Sequence, residues 1–311
     1  MDMMIPLVLA LAAAAMYGLS GHIDKYLISK TVKNADYRAL ILVSTFVSGG
    51  AMTLVYLFVC GFDLSFDFTG ISLLLLNAVI NVVALILWFK ALNREDVTIV
   101  TIMLQLIPVF TLLVAPLVLD NQSISVVQLV GGVLIVLASL IVTYEPSKKK
   151  FNKERFVTLF LMTLVSLAYA VWEIIERYVN QNHDFNRTIL WSNITLLVVG
   201  VVIIIISKTY RKSFNKMLRS NGAKVVGLNL LNEFMFSFGG VVSTYAGTMT
   251  SVALVSFVTA GAQPFAVMIL GIIITKLFPK IEKEGITRED IMKRTIAIIM
   301  CVLGLACIGF G

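Results

Sequence analysis

Acidic and amide side chains inside apolar stretches are the residues of this sequence with the clearest chemistry. Glu233 lies within a long apolar run, with Asn229 one helical turn earlier and Asn232 beside it. A charged group inside a bilayer costs about 2.5–3.5 kcal/mol on insertion scales, so such groups usually face a cavity. We expect Glu233 to bind a cationic group or a coupling proton. The alternative is a protonated Glu233 that hydrogen-bonds a neighbouring helix for packing.

A second acidic group precedes it in the chain. Glu173 shares a helical face with Tyr169 and Glu176, at spacings of four and three residues. An acidic wall of this kind can orient a ligand, whereas an ion pair between Glu173 and Arg177 explains the residue equally well. Tyr17 occupies the place of Tyr169 earlier in the chain, and we expect both tyrosines to contribute to the same binding site.

Three further kinds of polar or aromatic residue lie in apolar segments. His22 can relay protons, since its ordinary pKa of about 6.5 is physiological, but an interface histidine beside small residues is the interpretation we favour. Asn77 and Asn81 share one face, and Trp88 follows seven residues later. They can line a pathway for a solute, although hydrogen bonds between helices explain the asparagines equally well.

The elements that position these residues must be membrane-spanning helices. Apolar residues make up 59% of the 311, charged residues only 14%, and the mean hydropathy is +0.93, which excludes an ordinary soluble protein. In lipid, only α-helices and closed β-barrels satisfy all their backbone hydrogen bonds, and this sequence lacks the alternation of apolar and polar residues that barrel strands show. We therefore predict an all-α integral membrane protein. Its first span is expected to be retained rather than cleaved. Spans of about 20 residues are predicted at Ile5–Ile23, Ala39–Cys60, Gly70–Leu92, Val97–Leu119, Ile124–Tyr144, Phe156–Ile175, Thr188–Ser207, Ala223–Ala246, Ser251–Leu277 and Lys293–Phe310.

The basic residues are distributed unevenly between the two faces. All but Arg177 and Arg187 of the 25 Lys and Arg residues fall in the odd-numbered connections, including the group from Lys208 to Lys224 after span seven. The positive-inside rule therefore predicts cytoplasmic odd connections and non-cytoplasmic termini for a multi-pass protein of the cell (inner or plasma) membrane. This placement also explains the net charge of +7 without nucleic acid.

The chain repeats itself in inverted orientation. Because each copy contains five spans, an odd number, the second copy must enter the membrane upside down, as in alternating-access transporters. The predicted copies are 1–147 and 156–311, joined by a basic linker at 148–155. Pro108 and Pro264 are predicted to kink spans four and nine at equivalent depths and to act as hinges. The matching segments are Tyr17-Gly18 with Tyr169-Ala170, Asp24-Lys25-Tyr26 with Glu176-Arg177-Tyr178, and Leu75-Leu76-Asn77 with Leu230-Leu231-Asn232.

These motifs resemble those of the drug/metabolite transporter superfamily, in its EamA-like branch with ten transmembrane helices. The resemblance implies a carrier of small organic molecules with a central cavity, from a family of amino-acid and drug exporters, sugar-phosphate carriers and lipid-linked sugar flippases. Tyr17 replaces the family's usual Trp, Ala170 a Gly and Gln122 an acidic residue, and the expected outside termini reverse the family's usual orientation. The resemblance rests on Tyr17-Gly18 with Lys25, Phe89-Lys90-Ala91-Leu92, Pro108, Gln128-x-x-Gly131 and the stretch from Tyr245-Ala246 to Pro264.

The function expected from the sequence is transport rather than catalysis. No P-loop, G-x-S-x-G or H-E-x-x-H motif occurs, so we expect neither an enzyme nor a cofactor or metal. The acidic spans predict a secondary-active, alternating-access carrier for a small cationic or zwitterionic organic metabolite, with the proton as a candidate coupling ion. A lipid-linked sugar flippase and a non-transporting membrane scaffold or sensor are the alternatives. Expected partners are the substrate and membrane lipids, and a monomer and a homodimer are both compatible with the sequence.

Overall fold

The computed structural model describes residues 4–31, 36–118, 125–145, 150–151, 153–249, 252–277 and 287–310. Two π-helical turns, Leu27–Thr31 and Val43–Ser48, extend the first helix and join the second to the third. The α-helices are α1 (Met4–Tyr26), α2 (Tyr37–Leu42), α3 (Gly49–Val59), α4 (Phe68–Leu92), α5 (Val97–Leu104), α6 (Ile107–Val118), α7 (Val126–Thr143), α8 (Lys153–Asn180), α9 (Phe185–Ile206), α10 (Lys208–Met249), α11 (Val252–Leu277) and α12 (Arg288–Phe310).

The helices confirm the predicted membrane class. Nine helical segments of the described chain are long and apolar enough to cross a bilayer. The predicted fifth span, α7, contributes a shorter apolar helix, Val126–Val142. Many large apolar side chains point outward from the bundle, among them Phe58, Phe160 and Ile206, as expected where the surroundings are lipid rather than water.

The two prolines predicted to kink their spans occupy different positions within their helices. The predicted fourth span is divided, because α5 ends at Leu104 and α6 begins at Ile107, directly before Pro108. Pro108 thus lies in the first turn of a helix, where its missing N–H is not needed. Helix α11, in contrast, continues through Pro264. The two prolines therefore lie in different helical contexts, and kinks at equivalent depths stay a prediction.

Helix α10 is much longer than the predicted eighth span. The basic stretch from Lys208 to Lys224, expected as a connection, is helical and continuous with the span. Tyr210, Phe214 and Met217 follow one another at spacings of four and three residues and pack against the main core, so this stretch is an amphipathic helix. Averaged hydropathy does not register such a face when the rest of the helix is basic.

The predicted linker at 148–155 also contains regular structure. Tyr144–Glu145 pairs antiparallel with Lys150–Phe151, which forms a short β-bridge between the two halves of the chain. Helix α8 begins at Lys153, so the last residues of the predicted linker are helical. The residues between these elements lie outside the described part of the chain.

Helices of one half of the chain pack against helices of the other half. Helix α1 lies against α10 and α11, and α8 lies against α4, α5 and α6. The first helix of each half thus packs against the third and fourth spans of the other half. Helices α7 and α12 also pack together, so closely that a Cβ on Gly131 would lie 2.5 Å from the carbonyl oxygen of Gly304. Glycine is required for this approach.

The odd-numbered connections meet at one end of the bundle, which we call the basic end. They are tied together by ion pairs and hydrogen bonds that converge on the short connection between α4 and α5. The contacts are Lys25 Nζ to the carbonyls of Leu92 and Glu95, Arg294 to Asp96, Arg155 to Glu95 and Arg94 to Glu154. Lys224 also donates to the Tyr26 hydroxyl at 2.7 Å.

The even-numbered connections between α3 and α4 and between α8 and α9 meet at the other end, which we call the opposite end. Arg187 pairs with Asp63 at 3.4 Å, and His183 contacts Asp67 at 2.6 Å. The chain therefore crosses between the same two ends in alternation, as the charge distribution predicts. Which end faces the cytoplasm remains a proposal.

Candidate functional site

Asp24, in the last turn of α1, joins three helices. Its Oδ2 accepts a hydrogen bond from Trp88 Nε1 of α4 at 2.9 Å, and its Oδ1 accepts one from Asn232 Nδ2 of α10 at 2.8 Å. An indole N–H and an amide NH₂ can only donate. Both partners therefore donate to the carboxyl group of Asp24 and fix its orientation.

Glu233, the next residue on α10, is held by a second set of partners. Asn229 Nδ2 donates to Ser44 Oγ at 3.1 Å, and the Ser44 side chain hydrogen-bonds Glu233. Because the Ser44 oxygen accepts the hydrogen bond from Asn229, the Ser44 hydroxyl proton is available to the carboxyl group of Glu233. Ser44 belongs to the π-helical turn Val43–Ser48, a kind of distortion that occurs frequently at functional sites.

These two sets of partners form one polar cluster. Asp24 and Glu233 interact electrostatically with each other, and both act on Tyr169 of α8. Two carboxylates in one low-dielectric site repel when both are ionised, so a proton or a bound cation stabilises the pair. The cluster therefore brings together Glu233, Asn229, Asn232, Trp88 and Tyr169 from the sequence-predicted set.

Glu173, one turn after Tyr169 on α8, belongs to a separate group of polar contacts. Thr111 Oγ1 of α6 donates to Glu173 Oε2 at 3.3 Å, and Ser192 Oγ of α9 donates to Glu176 Oε1 at 3.3 Å. Hydroxyls can both donate and accept, so these partners suit either protonation state. The expected alternative partner, Arg177, has a side chain outside the described set.

Asn77 makes a contact equivalent to that of Asn232. Its Nδ2 donates to the carbonyl of Trp172 on α8 at 3.4 Å, whereas Asn232 reaches α1. Thr195 of α9 likewise bonds the carbonyl of Leu74 at 3.2 Å, in the place that Asn229 and Ser44 take in the other half. Asn81 is half-buried one turn beyond Asn77. In both halves, the asparagine of the Leu-Leu-Asn motif thus contacts the first helix of the other half.

His22 and Tyr17 lie in helix interfaces. The buried ring of His22 bonds the carbonyl of Val267 through Nε2 at 3.0 Å, beside the close contact of Gly18 with the same residue. This contact supports the interface interpretation over a proton relay. The Tyr17 ring packs against Phe236 with centroids 5.2 Å apart and covers Gly239 of α10.

Asp24 and Ser44 are the two cluster residues that the sequence argument missed. The predicted first span ended at Ile23, so Asp24 was assigned to a connection, and a serine in an apolar span carries little signal. The repeated motif was the available clue, because Asp24-Lys25-Tyr26 matches Glu176-Arg177-Tyr178. An acidic residue that recurs at the end of the corresponding helix in both halves indicates a buried contact rather than a charge exposed to water at the helix end.

The fold is that of a multi-pass helical membrane protein with a polar cluster around Asp24 and Glu233 between its helices. Comparison with known families confirms the predicted resemblance, because the EamA-like transporter family matches residues 4–144. This match covers less than half of the chain and agrees with a membrane transporter of the drug/metabolite type. Members of that family are transporters rather than enzymes.

No curated protein matches the sequence. One solved structure, described only as a crystal structure of a protein, has a TM-score of 0.50 at 12% identity and covers 95% of this chain and 96% of its own. At this identity the similarity concerns the fold alone. Among the described residues, no group of three or more His, Cys, Asp and Glu side chains is placed to hold a metal ion.

Proposed function

We propose that the protein is a secondary-active carrier of a small cationic or zwitterionic organic metabolite. The observation that carries this proposal is the pair of acidic side chains, Asp24 and Glu233, inside the helical bundle. The neighbouring cation, Lys25, donates to the backbone carbonyls of Leu92 and Glu95 at the basic end. A site for phosphate or a sugar nucleotide would instead need Arg or Lys side chains directed at the ligand.

Glu233 is the candidate for coupling to protons. Its Ser44 partner can donate to a carboxylate or accept from a carboxylic acid, because a hydroxyl does both. Proton binding at Glu233 and cation binding nearby would then compete for the same negative charge. A proton gradient would drive net transport through this competition, without a nucleotide site.

Alternating access is supported by the matched contacts of the two halves. Asn77 and Asn232, and likewise α1 and α8, make equivalent contacts across the boundary between residues 1–147 and 156–311. Two inverted copies can rock against each other and expose the site to either face in turn. Pro108 divides the fourth span and is the candidate hinge, with Pro264 as its counterpart.

We place the basic end at the cytoplasmic face of the cell membrane, with both termini outside, because basic residues accumulate in cytoplasmic connections. With Cys60, Cys301 and Cys307 replaced by serine, a single cysteine introduced at Ser65 of the opposite end should react with an impermeant maleimide added to intact cells. A cysteine at Ser213 of the basic end should react only after lysis. The reverse pattern would invert the orientation.

The transport proposal is tested with the purified full chain in proteoliposomes. Thermal-shift screening against amino acids, polyamines, quaternary amines and nucleotide sugars selects a ligand, because a ligand of the folded state stabilises it. Uptake of the selected cation should depend on the proton gradient and lose that dependence in Glu233→Gln. The exposed Glu289→Gln serves as the matched control and should transport normally.

Three results would contradict parts of this proposal. Undiminished proton-driven flux in Glu233→Gln would remove Glu233 from coupling. Stabilisation by nucleotide sugars, with lipid-dependent activity, would favour the flippase. Absence of flux for every compound, together with a protein partner that co-purifies in stoichiometric amount, would favour the scaffold.

A further inference from the structure

Asn232 carries a buried hydrogen-bond acceptor that the described part of the protein does not satisfy. The residue is 5% exposed, and its Oδ1 has no partner among the described residues. Its Nδ2 donates to Asp24, and a carboxylate can only accept, which fixes the orientation of the amide. A buried, unpaired carbonyl oxygen is unfavourable by about 1–3 kcal/mol, so a donor belongs at this position.

Asp24 supplies a negative charge directly beside that oxygen. Its two donors, Trp88 and Asn232, leave acceptor capacity unused, because an ionised carboxylate has about four lone-pair positions. Among the described residues, Glu233 and Tyr169 interact electrostatically with it, and neither carries a positive charge. The adjacent Lys25 is directed to the backbone of the connection between α4 and α5.

An ammonium group with N–H bonds satisfies both requirements at once. Its charge pairs with the Asp24 carboxylate, and its N–H donates to Asn232 Oδ1. A quaternary ammonium supplies the charge but no donor, so Asn232 Oδ1 would stay unpaired in the complex. Polar groups of this kind reject analogues that lack the matching donor more strongly than apolar pockets reject a missing methylene.

We propose that Asp24 and Asn232 form a subsite for a protonated primary or secondary amine and discriminate against quaternary ammonium compounds. This inference rests on the proposed carrier function and specifies its substrate class. Trp88 acts as a positioning residue, because its N–H holds Oδ2 of Asp24 while Asn232 bonds Oδ1. Glu233 remains the group that exchanges its proton.

The test compares each amine with its fully N-methylated counterpart. Putrescine, phenethylamine and leucine, with their permethylated analogues, are titrated against the purified full chain, and dissociation constants are measured by thermal shift. At least one amine should bind about tenfold or more tightly than its permethylated analogue, the factor expected from one hydrogen bond to a charged group. Asn232→Leu should abolish this preference and leave binding of the permethylated compound unchanged.

Asn77→Leu is the matched control. Asn77 is also buried with an unpaired Oδ1 and occupies the equivalent position in the other half, but it faces a backbone carbonyl instead of a carboxylate. The substitution should therefore preserve amine selectivity. Asp24→Asn should lose amine binding altogether, and Asp24→Glu should retain part of it. If Asp24→Asn does not fold, the comparison of Asn232→Leu with Asn77→Leu decides the matter.

The outcomes separate this inference from the proposed function. Equal or tighter binding of the permethylated compounds, or an undiminished preference in Asn232→Leu, would overturn the amine subsite and leave a cation carrier. Binding of none of the six compounds, with stabilisation by nucleotide sugars instead, would overturn both. Equal loss of selectivity in Asn77→Leu and Asn232→Leu would show a general packing effect and also refute the subsite.

Discussion

The two ends of the bundle are held together by different kinds of ion pair. At the basic end, two ion pairs are largely enclosed, since the side chains of Arg294 and Asp96 are 4% and 24% exposed and those of Arg155 and Glu95 are 17% and 10% exposed. A third pair at this end, Arg94–Glu154, is exposed. At the opposite end, Arg187 and Asp63 are 36% and 53% exposed. Exposed pairs contribute little to stability, whereas breaking a buried pair leaves a charge without compensation.

This difference bears on how the carrier moves. Opening the basic end separates buried charges that link α12 and α8 to the connection between α4 and α5. Opening the opposite end separates the Arg187–Asp63 pair, which is exposed and which water can solvate. In the proposed alternating-access cycle the basic end is therefore the more firmly closed of the two, and substitutions there should have the larger effects.

The largest effect is expected for Asp96→Asn. Removing the carboxylate opposite the buried Arg294 should lower the free energy of unfolding by about 3–5 kcal/mol, the range for breaking a buried ion pair. Thermal unfolding of the purified protein measures the loss. The double variant Asp96→Asn/Arg294→Met should recover much of it, since an apolar replacement of a buried pair is often neutral. An unchanged melting temperature in Asp96→Asn would remove the distinction between the ends.

A smaller effect with a defined pH dependence is expected at Glu95. Burial raises the pKa of Glu95 above its ordinary value of 4.5, although Arg155 opposes the rise. A group with a raised folded-state pKa stabilises the fold below its ordinary pKa, and this contribution is lost as the pH rises through the raised value. The melting temperature should therefore fall as the pH rises above the ordinary pKa of 4.5, and Glu95→Gln should flatten this slope. A steeper slope in the variant would contradict the assignment.

The smallest effect, with the opposite sign, is expected at Asp67. The backbone N–H of Gly70, at the first turn of α4, donates to this carboxylate and holds its pKa below the ordinary 3.8, with a further contribution from His183. Its stabilising effect is present above pH 3.8 and is lost as the pH falls through the lowered pKa.

The stability of Asp67→Asn should therefore fall less than that of the unmodified protein when the pH is lowered. Its melting temperature at neutral pH should change little, because an asparagine still caps the helix. Arg187→Gln at the same end should show no measurable change. A destabilisation by either variant larger than that of Asp96→Asn would reverse the comparison of the two ends.

The membrane class and the resemblance to a transporter family could be predicted from the sequence because they depend on average and local properties. Composition and apolar run lengths indicate spanning helices, and a few motifs such as Tyr17-Gly18 with Lys25 are specific enough for a family. The position of Glu233 beside Asn232 could also be read from spacing alone. These are local features, and local features do not require knowledge of which helices touch.

The partners within the site could not be predicted, because they depend on packing between distant segments. Trp88 and Asn232 meet at Asp24 only because α4 and α10 both lie against the end of α1. The division of span four before Pro108, and the continuity of α11 through Pro264, likewise depend on where each proline falls within its helix. A hydropathy profile does not distinguish the two prolines, because both lie in apolar segments.

Helix α10 spans 42 residues, roughly 63 Å at the usual rise per residue, although a bilayer core needs only about half of that length. The chain leaves α9 at Ile206 and crosses again from Gly222, so the intervening basic stretch lies on one side of the membrane. That stretch and Asn232 belong to one continuous helix. A displacement of the basic stretch at the lipid headgroups therefore reaches the proposed amine subsite through helical backbone, without an intervening loop.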